Sequence, residues 1–256
     1  MGILNLTPDS FSDGGRGPDA SIALARSWGS NVDIVDVGGE STRPHATPVS
    51  LEEELARVLP VVRALAPQLT ISIDTYKAEV AAQTIAAGAE IINDVSGGLM
   101  DPALLDVVAS TGAYVILGHT RGTSATMNDL ADYRDVVAEV RDELGARVAA
   151  AGAAGVAPER IFVDPGLGFA KRAEHNLTLL AHLHELRTLG FPIVVGLSRK
   201  RFLAEVGGIW AMDDREEATA AAGAIAVWNG ADVIRVHDVT RQARSLRVAG
   251  AIVRSG

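Results

Sequence analysis

The chain has 256 residues, 48% hydrophobic and only 4% aromatic, with a formal net charge of −9 and no cysteine. The lack of cysteine excludes a disulfide scaffold, a cysteine-ligated zinc site and a cysteine nucleophile. The acidic balance argues against a general nucleic-acid binder but leaves room for a local cationic cluster facing an anionic small substrate. No uninterrupted apolar run reaches the length of a membrane span. The opening MGILNLTPDS lacks the basic stretch and apolar core of a secretory signal, so a cytoplasmic protein is expected.

In chain order, short β-branched runs alternate with Ala/Leu-rich amphipathic stretches. The runs fall at 2–7, 33–37, 70–75, 90–95, 113–119, 161–166, 192–198 and 232–238. Helices are predicted over 19–29, 51–66, 77–88, 102–111, 131–151, 174–189, 213–229 and 239–253. The punctuation agrees: Ser50 precedes Leu51-Glu52-Glu53 as an N-cap, and Gly88, Gly112, Gly190 and Gly230 stand where helices should stop. No linker, charge run or low-complexity segment breaks the pattern. Eight β-α units with nearly continuous apolar strands predict an α/β fold, a (β/α)8 TIM barrel forming one domain over 1–256. An open doubly wound sheet is the rival, disfavoured because no glycine-rich dinucleotide fingerprint follows the first run.

Such a barrel carries its site at the carboxyl ends of its strands. The polar residues there are Asn5, the loop Gly39-Glu40-Ser41-Thr42-Arg43, Asp74, Asn93-Asp94, His119-Thr120-Arg121, Asp164, Ser198-Arg199-Lys200, and Arg235 with His237. A single Asp or Asn at a strand end is more often a cap or turn former, the expected role of Asp94 and Asp238. His175, His182 and His184 are expected on helix surfaces. The mixture as a whole exceeds what caps require. Asp74, Asn93 and Asp164 form an acceptor group suited to the N–H-rich edge of a planar heterocycle. Ser198, Arg199, Lys200, Arg235 and His237 form a donor group from the last two strands, where barrels often bind phosphate. Asn5 offers an oxygen to Mg²⁺ completed by water and substrate phosphates. No dedicated zinc or two-metal spacing is present. Ser41 and Ser198 have no evident His/Asp relay, which argues against a serine hydrolase. Two Gly/Pro/Ser/Asp-rich loops, 7–19 and 40–49, are candidate lids.

The motifs GILNLTPDSFSDGG, DVGGESTRP, SIDT, INDVSGG, DPGLGFAK, GLSRKRFL and RVHDV, in this order and spacing, closely resemble the dihydropteroate synthase family over essentially the whole chain. The resemblance implies the (β/α)8 barrel and an Mg²⁺-dependent condensation of 6-hydroxymethyl-7,8-dihydropterin diphosphate with 4-aminobenzoate. It implies that Asp74, Asn93, Asp164, Lys200 and Arg235 hold the pterin. It assigns the diphosphate to Asn5, Thr42, Arg235 and His237, and Mg²⁺ to Asn5. The aminobenzoate pocket, where sulfonamides compete, falls to Phe11, Thr42, Arg43, Pro44, Phe169, Ser198 and Lys200. Asp74, Asp164, Lys200, Arg235 and His237 are its catalytic set, and a homodimer is its usual assembly. One departure is Gly118, where the family usually has Met, which should thin one apolar wall of the pterin pocket. Two alternatives share the pterin contacts: a methyltetrahydrofolate–corrinoid methyltransferase, which has no use for a diphosphate site, and a non-catalytic pterin-binding paralogue.

Overall fold

The computed structural model describes residues 1–7, 17–42, 46–212 and 214–255. Six strands form one parallel sheet in sequential order: β1 (Gly2–Asn5), β2 (Ile34–Gly38), β3 (Thr70–Asp74), β4 (Ile91–Asp94), β5 (Tyr114–Gly118) and β6 (Ile161–Asp164). β7 (Val194–Gly196) and β8 (Val233–Arg235) pair parallel beside it. Single parallel bridges, Val163 to Ile193 and Gly2 to Val236, join the two sheets at both edges. The amide of Ile3 donates to Val236 O at 2.9 Å and that of Val163 to Pro192 O at 3.0 Å. Strand order therefore runs once around the expected (β/α)8 barrel.

The helices are α1 (Pro18–Ser27), α2 (Leu51–Leu65), α3 (Ala78–Ala86), α4 (Ala103–Thr111), α5 (Val136–Ala153), α6 (Ala173–Ala181), α7 (Arg201–Gly207), α8 (Arg215–Trp228) and α9 (Val239–Val253). Their ends follow local chemistry. Ser50 caps α2 by accepting from the Glu53 amide, and three glutamates occupy that first turn, where the helix dipole favours anions. Asp135 accepts from the amides of Val137 and Ala138 and starts α5, so the predicted 131–151 helix begins five residues late. Asp238 caps α9 through the Arg241 amide, as expected. The predicted 174–189 helix is two pieces: α6 ends at Ala181 and a 3-10 helix spans Leu183–Leu189. The short α7 was not expected, because its seven residues give too little periodicity to register.

Alternation along the strands sorts the interior into layers. Val35, Val37, Ile71, Ile73, Ile92, Val115 and Leu117 are fully buried outside the barrel wall, against the helices. Ile91, Ile116 and Val194 form a separate cluster with Ile34, Tyr114, Phe162 and Val233. This cluster plugs the barrel towards the amino ends of the strands. Above the plug the inward residues become polar or glycine. Truncating Ile73, which is fully buried, to Ala is expected to cost roughly 2–5 kcal/mol of stability. Urea unfolding should show a lower midpoint at an unchanged slope.

Candidate active site

The last inward position of each strand builds the site floor. Asp74 ends β3, Asn93 lies one residue before the end of β4, Asp164 ends β6 and Arg235 ends β8, while β2, β5 and β7 end in Gly38, Gly118 and Gly196. Asp74, Asn93, Gly118, Asp164, Gly196 and Arg235 line one small cavity together with Thr42, Phe169 and Lys200. A larger cavity of about 840 Å³ opens at the opposite end, between the strand amino ends and helices α8 and α9. Its polar lining, Asn31, Asp33, Arg187, Asp232, Arg247 and Arg254, comes from loops and helices and not from the carboxyl ends of the strands.

Arg235 organises the floor. Its Nε donates to Asp36 Oδ2 at 2.5 Å and its terminal nitrogen to Asp74 Oδ2 at 2.6 Å. Burial works against the guanidinium charge, but Asp36 and Asp74 outweigh it and hold the cation charged. Burial pushes the Asp74 carboxyl up to about 7, with Arg235 pulling the other way. Asp164 is likewise raised by burial, against the pull of Lys200. Burial lowers Lys200 to about 8, partly offset by Asp164. The Lys200 ammonium also donates to Leu167 O and lies 4.4 Å from the centre of the Phe169 ring.

Asp36 is a site residue that the trailing-edge pattern of the strands does not mark. It is fully buried, it accepts from Asn93 Nδ2 at 3.1 Å as well as from Arg235, and its Oδ1 has no hydrogen-bond partner among the described residues. A buried, half-satisfied carboxylate is costly. It stands two residues before the strand end, below the row that a search of trailing edges finds. Its parity with Gly38 in IVDVG is the signal that could have revealed it.

Other positions divide clearly. Asn5 faces the floor: a Cβ on Gly38 would lie 3.4 Å from Asn5 Oδ1 and 3.5 Å from the Asp74 Cβ. Ser198 Oγ lies 3.1 Å from His237 Nδ1 and accepts from the His237 amide. The two residues thus form a pair that the sequence analysis did not anticipate. His119 and Arg121, offered as strand-end polar residues, turn outwards to Glu143 on α5. Arg199 turns to Glu216, and Asp94 accepts from the Ser96 and Gly98 amides as a turn former. His182 and His184 are exposed and His175 is half-buried. Phe11, Arg43 and Pro44 lie outside the described residues. At Gly118 an added Cβ would meet Val95 Cα at 2.7 Å. The wall there is the β4 backbone itself, with no room for any side chain at the present strand spacing.

The lowered Lys200 has opposite consequences for stability and activity. The unfolded chain holds this proton up to its ordinary value near 10.4, whereas the folded chain releases it near 8. Within that window the unfolded state binds more protons, so this group's contribution to stability rises with pH. The cation itself is lost over the same window. Turnover is expected to fall above about pH 8 while the melting temperature shows no matching fall from this residue. A pH-rate profile beside thermal melts checks this.

The family described as pterin binding enzyme matches residues 1–237. The dihydropteroate synthase of Synechocystis is 47% identical over 99% of this chain and 90% of its own length. The Yersinia pestis dihydropteroate synthase, solved with a sulfonamide drug, superposes with a TM-score of 0.95 at 40% identity, covering 100% of this chain and 94% of that one. The Xanthomonas albilineans enzyme, solved with 4-aminobenzoic acid, gives 0.91 at 45% identity, covering 98% and 92%. The chain belongs to the pterin-binding enzyme family and, within it, to the dihydropteroate synthases.

Proposed function

We propose that the acidic wall of this cavity holds the pterin and that the cationic side takes the diphosphate and the second substrate. The reaction is that of a dihydropteroate synthase: 6-hydroxymethyl-7,8-dihydropterin diphosphate and 4-aminobenzoate give 7,8-dihydropteroate and diphosphate. The bond from the pterin methylene carbon to the diphosphate oxygen breaks, a carbon–nitrogen bond forms, and the aniline nitrogen loses a proton. Asp74, Asn93 and Asp164 accept hydrogen bonds from the ring's N–H edge, a carboxylate being matched to two parallel donors. Asp74 and Asp164 also stabilise positive charge that develops on the methylene carbon as diphosphate leaves. Arg235 lies against the ring and, with His237, Asn5 and Thr42, attracts the departing diphosphate. Lys200 serves both ring and aminobenzoate, whose pocket is shaped by Phe11, Thr42, Arg43, Pro44, Phe169 and Ser198. No protein nucleophile is required, and the Ser198–His237 pair acts as a hydrogen-bonding unit. The observation carrying this reading is that Asp74 and Arg235 meet at 2.6 Å on one cavity.

The donor set fits Mg²⁺ carried mainly by substrate phosphates. Among the described residues no group of three or more His, Asp or Glu converges as a metal cage. The Asn5 amide oxygen faces the cleft that a side chain on Gly38 would fill. Asn5 would hold the ion, which when bound supplies charge neutralisation for the leaving diphosphate.

Cytoplasmic residence belongs to the same proposal, since a pterin diphosphate carries charge that does not cross a bilayer unaided. No described helix is long and apolar enough to cross a membrane. A homodimer also belongs to it. The late helices and the segment between them expose Val206, Trp210, Ile225 and Trp228, apolar surface that a second copy would cover.

Diphosphate release with both substrates and Mg²⁺ tests the activity; folded protein that releases none would overturn it. Asp74→Asn is expected to lower kcat/KM by about 100-fold or more, roughly 2.7 kcal/mol of transition-state stabilisation. Its far-ultraviolet circular dichroism should be unchanged, and wild-type turnover in this variant contradicts the role. For the dimer, Ile225→Glu is expected to shift the sedimentation coefficient to that of a monomer.

A further inference from the structure

Behind the cavity, the loop between β6 and α6 is held by a lysine that does not line the site. Lys171 Nζ lies 2.9 Å from His119 Nδ1, 3.2 Å from Gly166 O and 3.0 Å from Phe169 O. Three acceptors match the three N–H bonds of an ammonium, whereas a neutral amine has only two. Burial and the neighbouring Lys200 lower the proton affinity of Lys171, with the Asp164 and Glu143 carboxylates pulling the other way. His119 is fully buried, and burial pushes it down to about 3, so its ring is neutral. Its Nε2–H then donates to Glu143 Oε2 at 3.0 Å, leaving Nδ1 free to accept from Lys171. The hydrogen bond from His119 is the first cause holding Glu143 down at about 2. A carboxylate on α5 thus reaches the half-buried Lys171 amino group through a neutral imidazole.

The loop so held needs holding. Gly166, Gly168 and Ala170 all have positive φ, at 64°, 81° and 49°, and alanine rarely adopts that conformation. Tyr133 Oη adds a hydrogen bond to Ala170 O at 3.0 Å. The same loop presents the Phe169 ring to Lys200 and the Leu167 carbonyl to its ammonium. We propose that Lys171 is a positioning residue for the aminobenzoate substrate, fixing the Phe169 loop through Gly166 O and Phe169 O while His119 and Glu143 hold the lysine in turn. This rests on the reading of Phe169 and Lys200 as the aminobenzoate wall.

The test is steady-state kinetics on full-length Lys171→Met, with each substrate varied in turn. The KM for 4-aminobenzoate is expected to rise at least fivefold, while the dissociation constant for the pterin diphosphate, measured by calorimetry, stays within twofold. Equal losses for both substrates, or an unchanged aminobenzoate KM, overturn the proposal. Glu143→Gln should raise the same KM alone and add nothing on top of Lys171→Met; simple additivity overturns the relay. Should Lys171→Met fail to fold, Tyr133→Phe removes only the bond to Ala170 and is expected to raise the aminobenzoate KM alone. No rise there overturns the proposal. Turnover by the wild-type chain in the same assay separates failure of this proposal from failure of the activity itself.

Discussion

The site depends on one half-buried cation. Arg235 lies between Asp36 and Asp74 at the point where the barrel stops being apolar. Removing ions from water costs several kcal/mol each, and a buried pair seldom repays that as stability. Among the described residues lining or underlying the cavity, the carboxyl groups of Asp36, Asp74 and Asp164 face the cations Arg235 and Lys200. Among the described residues, removing the guanidinium would leave Asp36 buried with Asn93 as its one hydrogen-bond donor. Asp36 is the counter-ion that keeps Arg235 charged and aimed inwards; on the proposed reading, Asp74 could then turn to a substrate without stranding the cation.

Glycine matters as much as charge. Where β3, β4, β6 and β8 turn polar groups inwards, β2, β5 and β7 present Gly38, Gly118 and Gly196. On the proposed reading, a flat ring seated among acid and amide oxygens would need neighbouring walls of bare backbone, and alternating functional and absent side chains supplies both. The apolar plug of Ile91, Ile116 and Val194 below sets the depth to which a ligand can sink. It also keeps the dielectric low beneath the charges, where each interaction is stronger than in water.

The eight strand–helix units and the convergence of Asp74, Asn93, Asp164, Lys200 and Arg235 on one cavity were legible because both depend on local order along the chain: apolar runs of period two, then polar residues at their trailing edge. Direction was less legible. His119 follows inward-facing Gly118 by one residue, so the pleat turns it outwards; strand-end position alone does not carry that parity. Arg199 has φ 58°, and its backbone turns the side chain to Glu216 while Lys200 enters the cavity. Asp36 was hidden for the converse reason, being inward but one layer lower. The break between α6 and its 3-10 continuation depends on tertiary packing that no 3.6-residue period encodes. The Ser198–His237 contact joins residues on different strands, a proximity that only barrel closure creates.

Two residues with unfavourable backbone geometry, Ala170 and Arg199, flank Lys200 from the loops after β6 and β7. Strain of about 1–3 kcal/mol at such positions persists only where the surroundings enforce it. Here they do: Tyr133 and Lys171 hold the first loop, while Glu216 and the Thr219 hydroxyl, which accepts from the Arg199 amide, hold the second. Both strained segments converge on an ammonium whose proton affinity burial has lowered. A chemistry that uses no protein nucleophile must act by having charges and walls in place before the bond breaks. On the proposed assignment, the outward-facing networks on α5 and α8 belong to the reaction as much as the cavity does: they would keep the loops from relaxing, so that Lys200 and Phe169 would meet the second substrate without reorganising.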